Sequence, residues 1–537
     1  MTVDGQRAAR AQNLDRTMRT LSRGTSVMLF ATLAVVVLQF LTRVIVTRNV
    51  SAAEWGQFNL GLALASLLAL IGAFGIPTAT ARSMAFEETY EARVALVRKA
   101  LAVSVPVAIA STLLVFFGAG ILARPFGGGE MVQVFQLFSI SIGATLLANV
   151  GVGIFQGLER AEPYAIFIQI VNPTLFLALT AALLYAGWGF SGVLWGYVLS
   201  WVGAGLGLAM YSYRRLPALL HELSSAHFTG DESARVGFAA LSVTLFGVAT
   251  LTYLTSYADT LILGLFQPAA IVGQYSSAMN LTRLLLVGTG TVTFIYLPVT
   301  SRLRRQQDYD GLRRTYVTVT RWMALLALPL TYMFFFYPGF SLAFTFGANQ
   351  VGGASALRLL VLSNTLAILL GPAVSTLGGL GGVRQVLLYT LVSTITNVGL
   401  CFALIPIYGI WGAAIGWAVA RLVFPILSLG SIYAQHRVTP FAAHFLRPVA
   451  LSTVILVPVF WFVIPRATLL LIPVLLLLPF VVFALAIIGT RSVDPGDLHF
   501  VRAAERRLGA PVRPIRRLLE SRVAYDAANA GPDPLDI

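Results

Sequence analysis

The sequence is poor in the groups that soluble chemistry uses. Its one cysteine, Cys401, excludes an intrachain disulfide and a paired-cysteine metal site. Its five histidines, His221, His227, His436, His444 and His499, lie outside the apolar runs and show no metal-ligand spacing. No GxxxxGKS/T phosphate loop is present, which argues against ATP-driven work by this chain alone. Charged residues make up 11% of the 537 positions, against roughly 25% in a soluble domain. What fills their place is apolar: 57% of the residues are hydrophobic, and the mean hydropathy is +0.81. A soluble globular chain is excluded, and a polytopic membrane protein is expected.

The net charge of +15 does not point to nucleic acid. The basic residues are nearly all arginine, and they sit in short loops and tails between apolar runs. That placement suits topology signals and anionic headgroups. Spanning the bilayer takes about 20 apolar residues. On that length about 14 spans are expected, including span one (24–47), span two (56–76), span seven (237–264), span eight (272–299), span nine (316–337), span ten (355–378) and span twelve (410–433). Two more follow, at 447–464 and 468–489. The basic loops alternate, and with an arginine-rich N-terminal tail this puts both termini in the cytoplasm.

The chain also repeats itself. "AAEWGQF" at Ala52 returns as "AAIVGQY" at Ala269, 217 positions later. "WGFSGVLWGY" at Trp188 returns as "YGIWGAAIGW" at Tyr408, 220 later. Pro77 corresponds to Pro298 at 221, and Gly157–Leu158 to Gly379–Leu380 at 222. Spans one to six and seven to twelve therefore read as two copies of one bundle. Six is even, so the copies run the same way through the membrane, a parallel repeat of the kind used for alternating access. The expected organisation is a tail (1–23), an N-lobe (24–213), a loop (214–235), a C-lobe (236–434), a two-helix appendage (446–489) and an arginine-rich tail (490–537).

At "TRVIVTRNVSAAEWGQF" (42–58), "SYADTLILGLFQPAAIVGQY" (256–275), "YLPVTSRL" (296–303) and "NVGLCFALIPIYGIWGAAIGWAVAR" (397–421) the chain resembles a known family. It is similar to the Wzx-type polysaccharide flippases of the multidrug/oligosaccharidyl-lipid/polysaccharide exporter superfamily. The resemblance implies an all-α fold of two six-helix lobes in a V around a central cavity, lined by spans one, two, seven and eight.

An ionisable group at bilayer depth costs about 2.5–3.5 kcal/mol on insertion scales, so each needs a reason. Arg43, in span one, either snorkels to the outer interface or faces the cavity. Asp259, in span seven, stands opposite Thr42 in the repeat, so an Arg43–Asp259 lobe contact or gate is expected. Arg283 lies near the middle of span eight, too deep for easy snorkelling, and is expected in the cavity with Arg43 as a substrate-binding group. Arg421, in span twelve, is expected to be structural, satisfying backbone carbonyls near Pro425. Embedded amides such as Gln57, Asn172, Asn364 and Asn397 are read chiefly as interhelical hydrogen bonds. Pro77 and Pro298 are the hinge candidates, with ordinary helix ends as the alternative.

Excess positive charge in a cavity suits a phosphate or pyrophosphate, which arginine grips with a planar fork. Span one carries no carboxylate, whereas the related multidrug exporters rely on one there for cation coupling. The expected function is flipping of a polyprenyl-(pyro)phosphate-linked oligosaccharide, with a lipid-II-type flippase or drug exporter as alternative. An enzyme is not expected, since the outer loops are short and almost uncharged. No metal or other cofactor is expected beyond a coupling ion, Na or H. The expected partners are membrane lipids and the glycan lipid, with a glycan polymerase or glycosyltransferases as candidates. The chain is expected to act as a monomer in the cytoplasmic membrane.

Overall fold

A computed structural model describes residues 34–87, 89–224, 238–463 and 472–490. Residues 1–23 and 491–537 of the expected tails, the start of span one and the second half (225–235) of the 214–235 loop lie outside them, while residues 214–224 are helical rather than loop. Every extended element among the described residues is a helix. The helices form two compact units, residues 1–274 with 345–350, and residues 275–344 with 351–537.

The first unit opens with α1 (residues 34–49) and α2 (Ala52–Ala73). A capping box starts α2: Ser51 Oγ accepts the Glu54 amide at 3.2 Å, and Glu54 Oε2 accepts the Ser51 amide at 2.7 Å. Phe74 and Gly75, both left-handed, end it, and α3 (Ile76–Phe86) continues with Pro77 in its first turn. Span two is thus a broken helix that runs ten residues beyond its expected end. Next come α4 (Tyr90–Ala123), α5 (Gly129–Gly157), a π-helical stretch (Tyr164–Val171) leading into α6 (Asn172–Tyr185), α7 (Gly189–Ser224) and α8 (Phe238–Phe266). Phe58 locks α2 to its neighbours, with ring centroids 5.5 Å from Phe138, 6.0 Å from Phe176 and 5.6 Å from Tyr197. The Tyr253 hydroxyl donates to the Ala63 carbonyl and ties α8 to α2. That packing places α8 in the first unit; the boundary between the units falls inside α9 (Ala269–Arg305), after Gln274.

The second unit continues α9 into α10 (Tyr309–Phe336), α11 (Pro338–Phe346), α12 (Ala354–Leu369), α13 (Ala373–Gly379), α14 (Val383–Tyr408) and α15 (Ile410–His436). Span ten is broken between α12 and α13, where Gly371 is left-handed at φ 77°. Tyr316 donates its hydroxyl to the Leu370 carbonyl at 2.6 Å, satisfying a group that the break sets free. The appendage, α16 (Ala443–Pro458) and α17 (Ile472–Gly489), packs on α10. Phe460 lies 5.6 Å from the Tyr332 ring, and Tyr332 donates to Thr453 Oγ1 at 2.9 Å.

Ten helices among the described residues are long and apolar enough to cross a membrane. The chain is a multi-pass membrane protein. At the other four expected spans, α1 and α17 are short among the described residues. The helices α8 and α9, of 29 and 37 residues, are each long enough to cross a bilayer.

The repeat is visible in the backbone. α2 begins at Ala52 and α9 at Ala269. The turns after α5 and α13 share a hydrogen-bond pattern displaced by 222 residues. Glu159 N–H donates to Gln156 O at 3.0 Å and Arg160 N–H to Phe155 O at 2.9 Å. Gly381 N–H likewise donates to Gly378 O at 3.0 Å and Gly382 N–H to Leu377 O at 2.9 Å. Glu159 and Gly381 are both left-handed, at φ 58° and 85°.

Candidate functional site

The repeated motif makes a reciprocal contact in the first unit. Gly56 is the fifth residue of α2, and Gly273 the fifth of α9. A methyl group on Gly56 would collide with the Ala269 carbonyl, and one on Gly273 with the Ala52 carbonyl. Each helix start thus rests, backbone on backbone, against the glycine of the other. Only glycine permits so close an approach. Beside it Trp55 stacks on Phe58 at 5.4 Å, and buried Gln57 donates to Glu130 Oε2 at 2.8 Å. Gln57 is therefore an interhelical tie.

Asp259 is 1% exposed in α8, and its Oδ1 accepts the Thr260 amide at 2.8 Å. Its repeat counterpart Thr42 is also 1% exposed and donates to the Leu38 carbonyl at 2.8 Å. Arg43, next to it on α1, is half-buried. All three belong to the first unit.

Arg283 is half-buried in α9, in the second unit. It stands fourteen residues beyond Ala269, about 21 Å along the axis at 1.5 Å per residue. Its neighbours Asn280 and Thr282 are buried. The two hinge candidates differ in setting. Pro77 follows a helix break, whereas Pro298 is exposed inside the unbroken α9.

Arg421 does not hold backbone carbonyls, and Pro425 does not interrupt α15. Instead, Arg421 Nε donates to Asn364 Oδ1 on α12 at 2.9 Å, and Asn364 is 1% exposed. An amide oxygen satisfies the guanidinium without breaking a helix. Asn364→Leu is expected to cost about 2 kcal/mol, because it leaves a charged donor without that acceptor. Thermal unfolding of the purified protein would read it. Adding Arg421→Leu to Asn364→Leu should recover most of the loss.

Sequence reasoning passed over Arg321. It is 2% exposed and lies thirteen residues into α10, beside Thr320, whose hydroxyl bonds the Tyr316 carbonyl at 2.8 Å. Span nine was expected to begin near Tyr316, which put Arg321 at the interface. The helix in fact begins at Tyr309. The signal available was Asp308, whose side chain accepts the Gly311 amide at 2.7 Å as an N-cap. With Arg321, the arginines set well inside the spanning helices among the described residues are Arg43, Arg283, Arg321 and Arg421, against Asp259.

The profile of a family described as "Polysaccharide biosynthesis protein" matches residues 21–304. The chain is 27% identical over 333 residues to a "Probable flippase AglR" of Haloferax volcanii, a match covering 58% of this chain and 62% of that protein. The chain thus spans about three-fifths of the length of that relative. Its fold is similar to that of "Lipid II flippase MurJ, inward closed conformation", with TM-score 0.67 at 12% identity over 88% of this chain and 99% of the other. An inward-facing "multidrug resistance MATE family transporter of the MOP superfamily" gives TM-score 0.58 at 17% identity, covering 75% and 94%. At such identities these likenesses show the fold alone.

Proposed function

The chain belongs to the polysaccharide biosynthesis protein family, and from that premise we propose that it is a flippase for a polyprenyl-(pyro)phosphate-linked oligosaccharide. It moves this lipid from the cytoplasmic to the outer leaflet of the cell membrane by alternating access. The observation that carries the reading is the charge set well inside the spanning helices among the described residues, Arg43, Arg283, Arg321 and Arg421 against Asp259. A phosphate crossing the bilayer needs partners at that depth, and guanidinium groups supply them with little hydration to lose. Arg283 is the substrate-binding group, assisted by Arg43, and Arg43 with Asp259 forms the gate. Pro77 and Pro298 are the positions where bending is taken up. An Na or H gradient or the supply of substrate drives the cycle. A glycan polymerase or glycosyltransferases work beside a monomeric transporter.

The MurJ-like fold favours lipid II as the second reading. A cation antiporter is disfavoured, since span one (24–47) carries no carboxylate. Reconstitution in vesicles decides among the three. A fluorescent glycan on polyprenyl pyrophosphate should become accessible to an external quencher at least tenfold faster than lipid II, while an organic cation should not move. Faster movement of lipid II or of the cation would replace the proposal.

Sidedness follows from the same reading. In a Cys401→Ala background, Asn349→Cys should react with an impermeant maleimide from outside intact cells, and Gln306→Cys only after permeabilisation. Both native side chains are exposed, and Cys401 is buried. The reverse pattern would invert the topology and overturn the direction of transport.

A further inference from the structure

The two copies of the bundle carry opposite charge at one matched pair of turns. In the second unit, α9 ends on Arg302, Arg304 and Arg305, α10 opens with Arg313 and Arg314, and Arg384 follows the 378–382 turn. All six are exposed. The same segments hold only two carboxylates, Asp308 and Asp310, and Asp308 is occupied as the N-cap of α10. Displaced by 221–222 residues, the first unit has three arginines, Arg82, Arg93 and Arg160, and five glutamates, at 87, 88, 91, 159 and 162. The matched segments therefore have net charges of +4 and −2, by subtraction of those counts. The exchange is residue for residue in part: Glu162 stands where the second unit has Arg384, and Glu159 where it has Gly381.

Topology does not account for this difference. Orientation is set by Arg and Lys, and carboxylates contribute little to it. It gives no reason for the second unit to drop its glutamates. The backbone does show what the glycine permits. A side chain on Gly381 would run into the Arg304 guanidinium, and one on Gly379 would press on Thr300 at 3.0 Å. The last turn of α9 therefore lies along the 378–382 turn, with Arg304 against Gly381 and Arg384 three residues further along the chain. Tyr309 stacks on His436 at 4.6 Å, which ties the α9–α10 turn to the end of α15.

Apolar surface continues from the basic turn along α14. Val383 is 61% exposed and Leu388 53%, with Leu387 at 42%. Both α10 and α14 are membrane-spanning by length and composition, and both begin here. A cationic turn continuous with a lipid-facing apolar face fits a headgroup with acyl chains attached better than a soluble anion.

We propose that this turn cluster, centred on Arg304 and Arg384, is a docking surface for the phosphate headgroup of an anionic lipid in the adjoining leaflet. The guanidinium groups take the phosphate oxygens in bidentate pairs, and the lipid chains lie along the exposed face of α14. The proposal goes beyond transport and does not depend on it. Equilibrium binding needs no turnover, so failure of the flippase reading would leave it standing, and its own failure would leave that reading untouched.

The test is titration of the purified full-length protein in micelles with phosphatidic acid, with phosphatidylcholine and with inorganic phosphate, read by native mass spectrometry. Phosphatidic acid should bind at least tenfold tighter than phosphatidylcholine. Each basic side chain near a charged lipid surface contributes about fivefold in binding, so Arg304→Gln with Arg384→Gln should weaken phosphatidic acid about 25-fold. Phosphatidylcholine should be unaffected by that pair, and Arg304→Lys with Arg384→Lys should retain part of the affinity, since lysine keeps the charge but not the planar fork. Should the glutamine pair fail to fold, Glu159→Gly with Glu162→Arg copies the basic turn into the first unit and should add phosphatidic acid binding. Unchanged binding in the glutamine pair, an equal loss for phosphatidylcholine, no gain in the first-unit variant, or displacement of the lipid by millimolar inorganic phosphate would each overturn the proposal.

Discussion

Arg283→Ala is expected to slow transport of the glycan lipid about 30-fold, while Arg283→Lys loses about fivefold. A charge-assisted hydrogen bond to a desolvated partner contributes about 1.5–3 kcal/mol, and 2 kcal/mol corresponds to roughly 30-fold. Lysine keeps the charge but not the planar fork, so it recovers only part of that. Arg283 is half-buried, well along α9, where a crossing phosphate would have exchanged its water for protein donors. Folding should be affected little, because the side chain is not enclosed in a core. Initial rates in vesicles, normalised to reconstituted protein, give the comparison. Full transport by Arg283→Ala at normal protein level would remove Arg283 from the substrate path. Equal loss in the lysine and alanine variants would mean that shape rather than charge matters there.

The second large effect is steric. Gly56→Val or Gly273→Val should each reduce transport at least tenfold and lower the melting temperature, because each new side chain meets a backbone carbonyl. Carbonyls cannot swing aside as a flexible side chain can, so the helix starts must separate. Overpacking of this kind costs about 1–3 kcal/mol. Alanine at either site should give an intermediate result. The control is built into the same unit. Gly118 and Gly120 in α4 have open space where a side chain would go, so Gly118→Val and Gly120→Val should be nearly silent. If the four valine variants behaved alike, the close crossing would carry no special weight. An unequal effect at Gly56 and Gly273 would show that the contact, reciprocal in geometry, is not so in use.

Much of the fold was legible in the sequence for a simple reason. Transfer into the bilayer is set residue by residue, so a window of apolar residues reports a span without reference to anything distant. The doubled "AAEWGQF" and "AAIVGQY" made Gly56 and Gly273 equivalent positions of the repeat, but their close approach is visible only in the structure. Breaks were half legible. Pro77 marked one, while the equivalent Pro298 sits in a continuous helix. A proline removes one hydrogen bond wherever it stands, but packing decides whether the helix opens there. Arg321 was missed through a boundary shift of seven residues, from 316 to Tyr309, enough to move a charge from interface to interior.

By itself the sequence determined the solvent, the helical class, the duplication and the arginine excess. Each is a sum over local composition or a comparison of the chain with itself. Only the tertiary structure decided that Arg421 pairs with Asn364, 57 residues away, and that α8 joins the first unit. It alone laid Arg304 over Gly381. Those choices depend on how each helix is rotated and how closely it approaches its neighbours. In lipid the outward face of a helix is as apolar as its inward face, so the hydrophobic pattern that reveals rotation in water is absent. Specific contacts between small and polar residues settle the rotation instead, and they exist only once the helices have met.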